Sequence, residues 1–446
     1  MFLDITSGPT WLSPGDTAWQ LTSATLVGIM SVPGLAILYA GVMKRKWAVN
    51  SSLMVLYGFG ATLVVWTLFA YSMSFGKPVG VGPGFVGIPW PILDATQLEG
   101  QASIPLLTGL IPVLKFPQSA LIYFQFVFAA ITVIILGGAV LGRMSFKAWM
   151  LFVPLWITLV YSVGAFMLWA GGWLAQVGAV DYSGGYVIHV AAGTSGFVAA
   201  AVLGPRLLKD RQSNSPSNLI MAIAGGGLLW LGWSGFNGGD PYFANADAAA
   251  AVLNTHLCTA TAMLAWMFLD VFVGGKAKVT GMINGMIVGL VAITPAAGFV
   301  NGYAAIAIGV VASVGVWLMM TVVGPRTILS RVDDTLGVVY THGMAGLAGG
   351  LLTGLLADPA MIVYTATGKS TPFSVTGLVY GNPRQFFVQL LAVAVIIVYD
   401  AVATFIVIKV VGLIVPLRMP ESELEVGDQA VHGDVAFDLL PVPSEA

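Results

Sequence analysis

Charge is scarce in this sequence: only 9% of its 446 residues are Asp, Glu, Lys or Arg, where a soluble domain carries about a quarter. With 57% hydrophobic residues, a water-soluble fold could not hide so much apolar surface, and lipid is the expected solvent. Cysteine is nearly absent too. Cys258 stands alone inside an apolar run, which excludes an intrachain disulfide and leaves the redox compartment open. The net charge of −2 argues against nucleic acid as a partner. No basic stretch precedes the first apolar segment, so no cleaved signal peptide is expected. There is also no phosphate loop, H-E-x-x-H, C-x-x-C or paired-carboxylate motif. Hydrolytic and nucleotide chemistry are not expected, nor a cofactor or metal; the chain does not read as an enzyme.

Glycine, by contrast, is abundant at 55 residues, as in membrane bundles, where small residues let helices approach closely. A spanning helix needs roughly 17–25 mostly apolar residues. The sequence then gives spans near 20–42, 50–75, 118–141, 148–171, 182–204, 216–236, 249–272, 279–298, 303–324, 336–357 and 386–410. The proline-rich piece 105–114 is too short to cross, leaving 76–117 as one long loop. With the N-terminus outside, fourteen of the 18 basic residues fall on inner loops and span ends. They run from Lys44, Arg45 and Lys46 to Lys409 and Arg418; Lys77, Lys115, Lys369 and Arg384 fall outside. The expected fold is an all-α integral membrane domain over 1–416 with eleven transmembrane helices, N-out and C-in. A cytoplasmic tail follows over 417–446.

Two spans share one pattern, His189-Val-Ala-Ala-Gly-Thr-Ser-Gly196 and His342-Gly-Met-Ala-Gly-Leu-Ala-Gly349. They are the fifth and tenth spans and run in opposite directions. That points to an inverted repeat of five spans plus five, with halves at about 20–204 and 216–357 and an eleventh helix appended. A pseudo-two-fold axis in the membrane plane would bring both histidines together near the midplane. A neutral imidazole offers one donor and one acceptor, so a stacked pair can pass a small hydrogen-bonding solute. Burial disfavours the charged ring.

Other intramembrane polar groups are weighed against ordinary structural roles. Asp181 opens the fifth span and reads both as a cap on exposed amides and as a negative field near the outer mouth. Trp169, Phe128 and Phe236 lie at outer span ends, where aromatics are ordinary interface anchors; grouped beside an anionic mouth they can also hold a cation through their ring faces. Asp270 is expected solvated or capped, Asp400 bonded to a neighbouring helix, His256 a packing residue and His432 part of the tail.

The stretch DYSGGYVIHVAAGTSGFVAAAVLGPR, from Asp181 to Arg206, closely resembles the signature of the ammonium transporter (Amt/Rh) family. The likeness extends to TWLSPGDTAWQLTSATLV, GWSGFNGG, AITPAAG, RVDD and THGMAGLAGG. It implies a homotrimer of eleven-helix protomers in the cell (plasma or inner) membrane, each with its own narrow pore. By motif, Phe128 resembles the outer phenylalanine and Phe236 its stacking partner, together a gate. Trp169 resembles the recruitment-site tryptophan, and His189 and His342 the twin pore histidines. Thr294 resembles a threonine near the inner pore. The chain departs from the pattern at Asp240, where many members have serine, which adds negative charge at the vestibule. Gly142 and Gly337 stand where acidic residues are common, and Tyr340 where glycine is. The tail, with seven acidic residues from about 417 on, resembles the family's cytoplasmic tail, which packs under the neighbouring protomer. A PII-type regulator at the inner face is a partner the resemblance raises.

The resemblance implies transport of ammonium or ammonia, with methylammonium as an analogue. Ammonium is recruited by Trp169, Phe128 and Asp240 under the field of Asp181, loses a proton, and ammonia passes the phenylalanines and then the histidines. Competing readings are a transporter-like ammonium sensor with little flux, a Rh-like channel for neutral gases, and an ion-coupled transporter of a larger solute. The sensor usually appends a signalling domain, for which a tail of about thirty residues has no room; the gas channel does not need the cation-suited mouth; the ion-coupled transporter needs more midplane polar groups.

Overall fold

The computed structural model describes residues 8–212, 215–364 and 373–437, and its architecture is helical almost throughout. Lys369, expected in an outer loop, and the tail beyond 437 lie outside the described residues. Among the described residues, nine helices are long and apolar enough to cross a membrane. They are α1 (Pro14–Val42), α2 (Arg45–Phe75), α3 (Gln118–Gly137), α4 (Phe146–Val177), α5 (Gly185–Leu203), α6 (Leu219–Gly238), α7 (Ala246–Gly274), α9 (Gly302–Arg326) and α11 (Pro383–Ile414). Two further expected spans fall on shorter helices, α8 (Val279–Ile293) and α10 (Ala345–Leu356), the latter entered through a wide turn at Val339–Met344.

Local chemistry explains the ends that differ from expectation. The helix α8 stops at Ile293 rather than near 298 because Pro295 cannot supply an amide and disfavours helical backbone before it. The helix α5 begins at Gly185 rather than 182, because Gly184 sits at φ +110, a left-handed conformation that glycine adopts without a Cβ clash. The loop 76–117 holds only short helical turns, Ala95–Glu99 and Pro105–Leu107. A small antiparallel pair, Ile362–Tyr364 with Phe373–Ser374, lies between α10 and α11.

The best-buried helix is α3, flanked by α1, α2 and α5. Close crossings rest on glycine. A Cβ on Gly193 would lie 2.5 Å from the backbone nitrogen of Gly343, and one on Gly346 2.6 Å from the carbonyl oxygen of Gly185. The α5 and α10 segments thus touch backbone to backbone at the glycines of the shared pattern. Gly142 and Gly337 occupy left-handed backbone, φ +74 and +71, which accounts physically for glycine at both positions.

Several polar residues outside this crossing have partners. Asp270 accepts from Trp317 Nε1 at 2.9 Å. Asp400 corrects the sequence reading: it is buried, and one carboxylate oxygen has no hydrogen-bond partner. The nearby hydroxyl one turn on, Thr404, is already engaged, accepting from Trp156 Nε1 and donating to Ser195 Oγ. His256 is held on both ring nitrogens, by Trp230 Nε1 at 2.9 Å and Ser234 Oγ at 3.0 Å. The described part of the tail is docked on its own chain: Asp428 accepts from the amides of Val49 and Asn50 at the start of α2. His432 lies 3.0 Å from Asn50 Oδ1 and packs edge-on to Phe146.

Candidate functional site

A column of rings runs through the middle of the bundle, assembled from α3, α4, α5, α6 and α10. Trp169, where α4 breaks before its last short helical piece, is partly exposed and donates from Nε1 to the Asp181 carbonyl at 2.8 Å. Phe128 packs edge-on to it with centroids 6.2 Å apart. Phe128 and Phe236 then meet with centroids 4.4 Å apart and rings tilted by 31°, both fully buried.

Below Phe236 come the two histidines. His189 stacks on Phe236 at 5.9 Å and on Trp233 at 5.4 Å. Its Nδ1 lies 3.2 Å from Nδ1 of His342, with centroids 5.4 Å apart. A hydrogen bond between two Nδ1 atoms needs one proton between them, so the rings hold opposite tautomers when both are neutral. Nε2 of His189 is buried with no partner, an unpaired polar atom of the kind that costs about 1–3 kcal/mol. Both histidines sit in widened helical turns, Gly185–Val190 and Val339–Met344, a local departure that recurs at functional positions.

Each histidine turn is capped by an aspartate. Asp181 accepts from the amides of Gly184, Tyr186 and Val187 at 2.9–3.2 Å, so both its oxygens are engaged by backbone. It is 6% exposed. Asp334 caps the other turn, accepting from Val339 N at 2.8 Å, while its second oxygen is buried without a partner. Burial raises the Asp334 carboxyl above its ordinary value, against the pull of the Val339 and Val338 amides and the Arg143 guanidinium. This residue was not singled out from sequence, although the signal was there: Asp181 and Asp334 each stand eight positions before their histidine. Trp233 was missed as well; its spacing of three from Phe236 puts both on one helix face.

The remaining expected residues fall around this column. Thr294 is buried, accepts from Trp233 Nε1 at 2.9 Å and donates to the Leu290 carbonyl, so it meets the column through the indole it orients. Asp240 follows the end of α6 and has one buried oxygen with no partner. Ser183, between Asp181 and the widened turn, donates to the Phe236 carbonyl at 2.8 Å.

Beyond His342 the column opens into a cavity of about 820 Å³, lined by His342, Thr341, Trp233, Tyr39 and Asp334 with aliphatic side chains around them. Next to Asp334 and Thr335 of its lining, two arginines tie down the chain. Arg206 grips Asp333 through Nε and Nη2 at 2.9 and 2.7 Å; burial pushes that carboxyl up, but Arg206 holds it below its ordinary value. Arg143, fully buried, donates to the carbonyls of Gly204 and Asp333 and to Thr335 Oγ1.

Comparison with known proteins places this geometry. Residues 18–437 match the model of the Ammonium Transporter Family. The chain is 49% identical over 434 residues to ammonium transporter 2 of Arabidopsis thaliana, covering 97% of this chain and 90% of that protein. It is also 49% identical over 443 residues to ammonium transporter 3 member 2 of rice, Oryza sativa subsp. japonica, covering 96% and 91%. Among solved structures, Saccharomyces cerevisiae Mep2 superposes with a TM-score of 0.77 at 30% identity, over 89% of this chain and 85% of that one.

Proposed function

The chain belongs to the ammonium transporter family, and from that premise we propose that it carries ammonium as ammonia along the ring column. Its relatives are named as transporters, which supports flux rather than sensing. In this reading the protomer crosses the plasma membrane eleven times, N-out and C-in, with the two halves as an inverted repeat, and assembles as a homotrimer. The basic-residue asymmetry supports the orientation, and the paired D-x₇-H spacing and glycine crossing support the repeat. The domain boundary at 416 separates this bundle from the docked tail.

The energetics select the species that crosses. A bare ammonium ion in hydrocarbon costs on the order of tens of kcal/mol in the Born limit, and neutral ammonia only a few. At the outer mouth the faces of Trp169 and Phe128 replace part of the ion's hydration, and Asp240 and the field of Asp181 supply negative charge. Ammonium yields its proton to water at the outer mouth, Phe128 and Phe236 part, and ammonia moves to the imidazoles. The unpartnered Nε2 of His189 carries this reading. The His189 ring lies between a phenylalanine and a second histidine, and a small amine that parts this packing can give that nitrogen its one missing hydrogen bond. The next transfer, to His342, then needs little rearrangement because the rings already lie 5.4 Å apart. Thr294 holds Trp233 flat against His189, which keeps water and larger solutes out.

The test is methylammonium uptake and current in liposomes containing the purified protein. His189→Ala and His342→Ala are each expected to change flux or ion selectivity sharply. Unaltered uptake and currents in both would refute the conduction role of the pair.

A further inference from the structure

We propose that Tyr242 is a positioning residue for cation capture: it ties the turn that carries Asp240 to the helix that carries Phe128. The inference rests on the reading of Asp240 as part of the outer mouth, and deepens it by naming what holds that carboxylate in place.

Among the described residues, Tyr242 is the one non-glycine residue in left-handed backbone, at φ +62. A side chain there crowds the carbonyl that follows it, and glycine would take the same conformation without that clash. Such a residue persists only where its surroundings over-determine it. The Tyr242 amide closes a turn, donating to the Gly239 carbonyl at 3.0 Å. Asp240 and Pro241 are left at the two central positions, between the end of α6 and the start of α7. Asp240 keeps partial exposure there, whereas Tyr242 is buried.

What engages Tyr242 comes from α3 and the residues just before it. Its hydroxyl accepts from Gln125 Nε2 at 3.0 Å. Its ring lies edge-on to Phe124 with centroids 6.3 Å apart, and beside Phe116 at 6.4 Å. Phe124 in turn packs on Phe128, with centroids 4.7 Å apart, and its ring lies against Gly239, where a Cβ would run into it. One side chain thus joins two members of the mouth that stand on different elements, Asp240 after α6 and Phe128 on α3. Glycine at 242 would relieve the backbone and cut this tie, leaving Asp240 free to shift relative to Phe128. The hydrogen bond and ring contacts of Tyr242 reach neither histidine, so the loss falls on capture more than on conduction.

The experiment measures methylammonium uptake against concentration with the full chain in liposomes. It compares wild type with Tyr242→Gly, Tyr242→Phe, Asp240→Ser and the double variant Asp240→Ser/Tyr242→Gly. Tyr242→Gly is expected to raise the apparent KM about tenfold, while the maximal rate per folded protein changes by less than about threefold. Tyr242→Phe keeps the ring and loses only the Gln125 bond, so its KM should stay within about threefold of wild type. Once Asp240 is serine, Tyr242→Gly should add no more than about twofold to KM, because a positioning residue loses its effect when the group it positions is gone. If Tyr242→Gly does not fold, Tyr242→Asn takes its place, since asparagine tolerates left-handed backbone. A wild-type KM in the glycine variant, a loss confined to the maximal rate, or the same KM effect of Tyr242→Gly with and without Asp240 would each overturn the proposal. If Asp240→Ser itself leaves KM unchanged, the capture reading of Asp240 fails and this inference falls with it. If Asp240→Ser raises KM and Tyr242→Gly does not, the inference alone fails.

Discussion

The crossing of α5 with the start of α10 gives the sharpest structural test. At Gly193 an added Cβ would lie 2.5 Å from the Gly343 nitrogen, where ordinary van der Waals contact begins at 3.4 Å. The obstacle is backbone, not the end of a flexible side chain, so Gly193→Ala must separate the helices by about 1 Å, at the typical overpacking cost of 1–3 kcal/mol. The histidines sit on these same helices, within one turn of the contact. Opening their 3.2 Å Nδ1 separation by a similar amount breaks the bond between the rings, and misplacement on that scale can cost about a hundredfold in rate. The matched control is Gly227→Ala in α6, where nothing lies within 4 Å of the new Cβ and the better helix propensity of alanine should stabilise by up to about 1 kcal/mol. The assay is thermal unfolding in detergent alongside methylammonium uptake in liposomes. Gly193→Ala should unfold several degrees lower and lose most of its uptake; Gly227→Ala should do neither. A Gly193→Ala protein with wild-type melting and wild-type uptake would show that the backbone contact does not set the histidine geometry.

Arg143→Met should destabilise by about 3–5 kcal/mol, since it leaves the Gly204 and Asp333 carbonyls and Thr335 without their buried donor; a melting temperature within a degree of wild type would contradict this. Asp240→Ser should shift the apparent affinity for methylammonium more than the maximal rate, and a variant with no transport would mean that the carboxylate does more than attract. The tail should respond to pH through Asp428, whose carboxyl is pushed up to about 6 by burial despite the amides of Asn50 and Val49. The docked tail therefore holds a proton that the free tail, with an ordinary value of 3.8, releases. Through Asp428, docking is strongest below about pH 4 and weakens as the pH rises toward 6, while His432, held by burial below its ordinary value of 6.5, weakens docking as the pH falls. Limited proteolysis across that range should lose the Asp428 component in Asp428→Asn, leaving a tail that is better protected as the pH rises through the His432 contribution.

What the sequence could reveal depended on whether the signal was local. The H-x-x-A-G-x-x-G pattern, repeated five spans apart, pointed to a histidine pair, and the rings do meet. The glycines in that pattern announced a close approach, and Gly193 and Gly346 both make one. Local signals also misled. Asp400 was expected to bond a neighbouring helix because an intramembrane carboxylate should, yet the nearby Thr404 hydroxyl is committed to Ser195. That choice depends on helix rotation, which periodicity does not fix in a helix apolar on nearly every side. Thr294 was readable as a residue near the path, but its link to Trp233 Nε1 joins positions 61 apart, and no motif records such a bond.

The two aspartates show how one spacing yields unlike chemistry. Asp181 and Asp334 each precede a histidine by eight positions and each caps a widened turn. In the first turn three backbone amides converge and engage both oxygens, which leaves a fixed field at the mouth. In the second, one oxygen keeps no partner beside a wide cavity. Both turns carry a left-handed glycine three residues after the aspartate, Gly184 and Gly337; the sequences part at the next position, Gly185 against Val338, and the second turn donates fewer amides to its carboxylate. If that is the cause, Asp181→Asn should lower stability more than Asp334→Asn, because it exchanges three charge-assisted bonds for weaker neutral ones rather than one. The ordering of the two melting temperatures measures it directly. A larger loss in Asp334→Asn would mean that the free oxygen of Asp334 is held by something the backbone count omits.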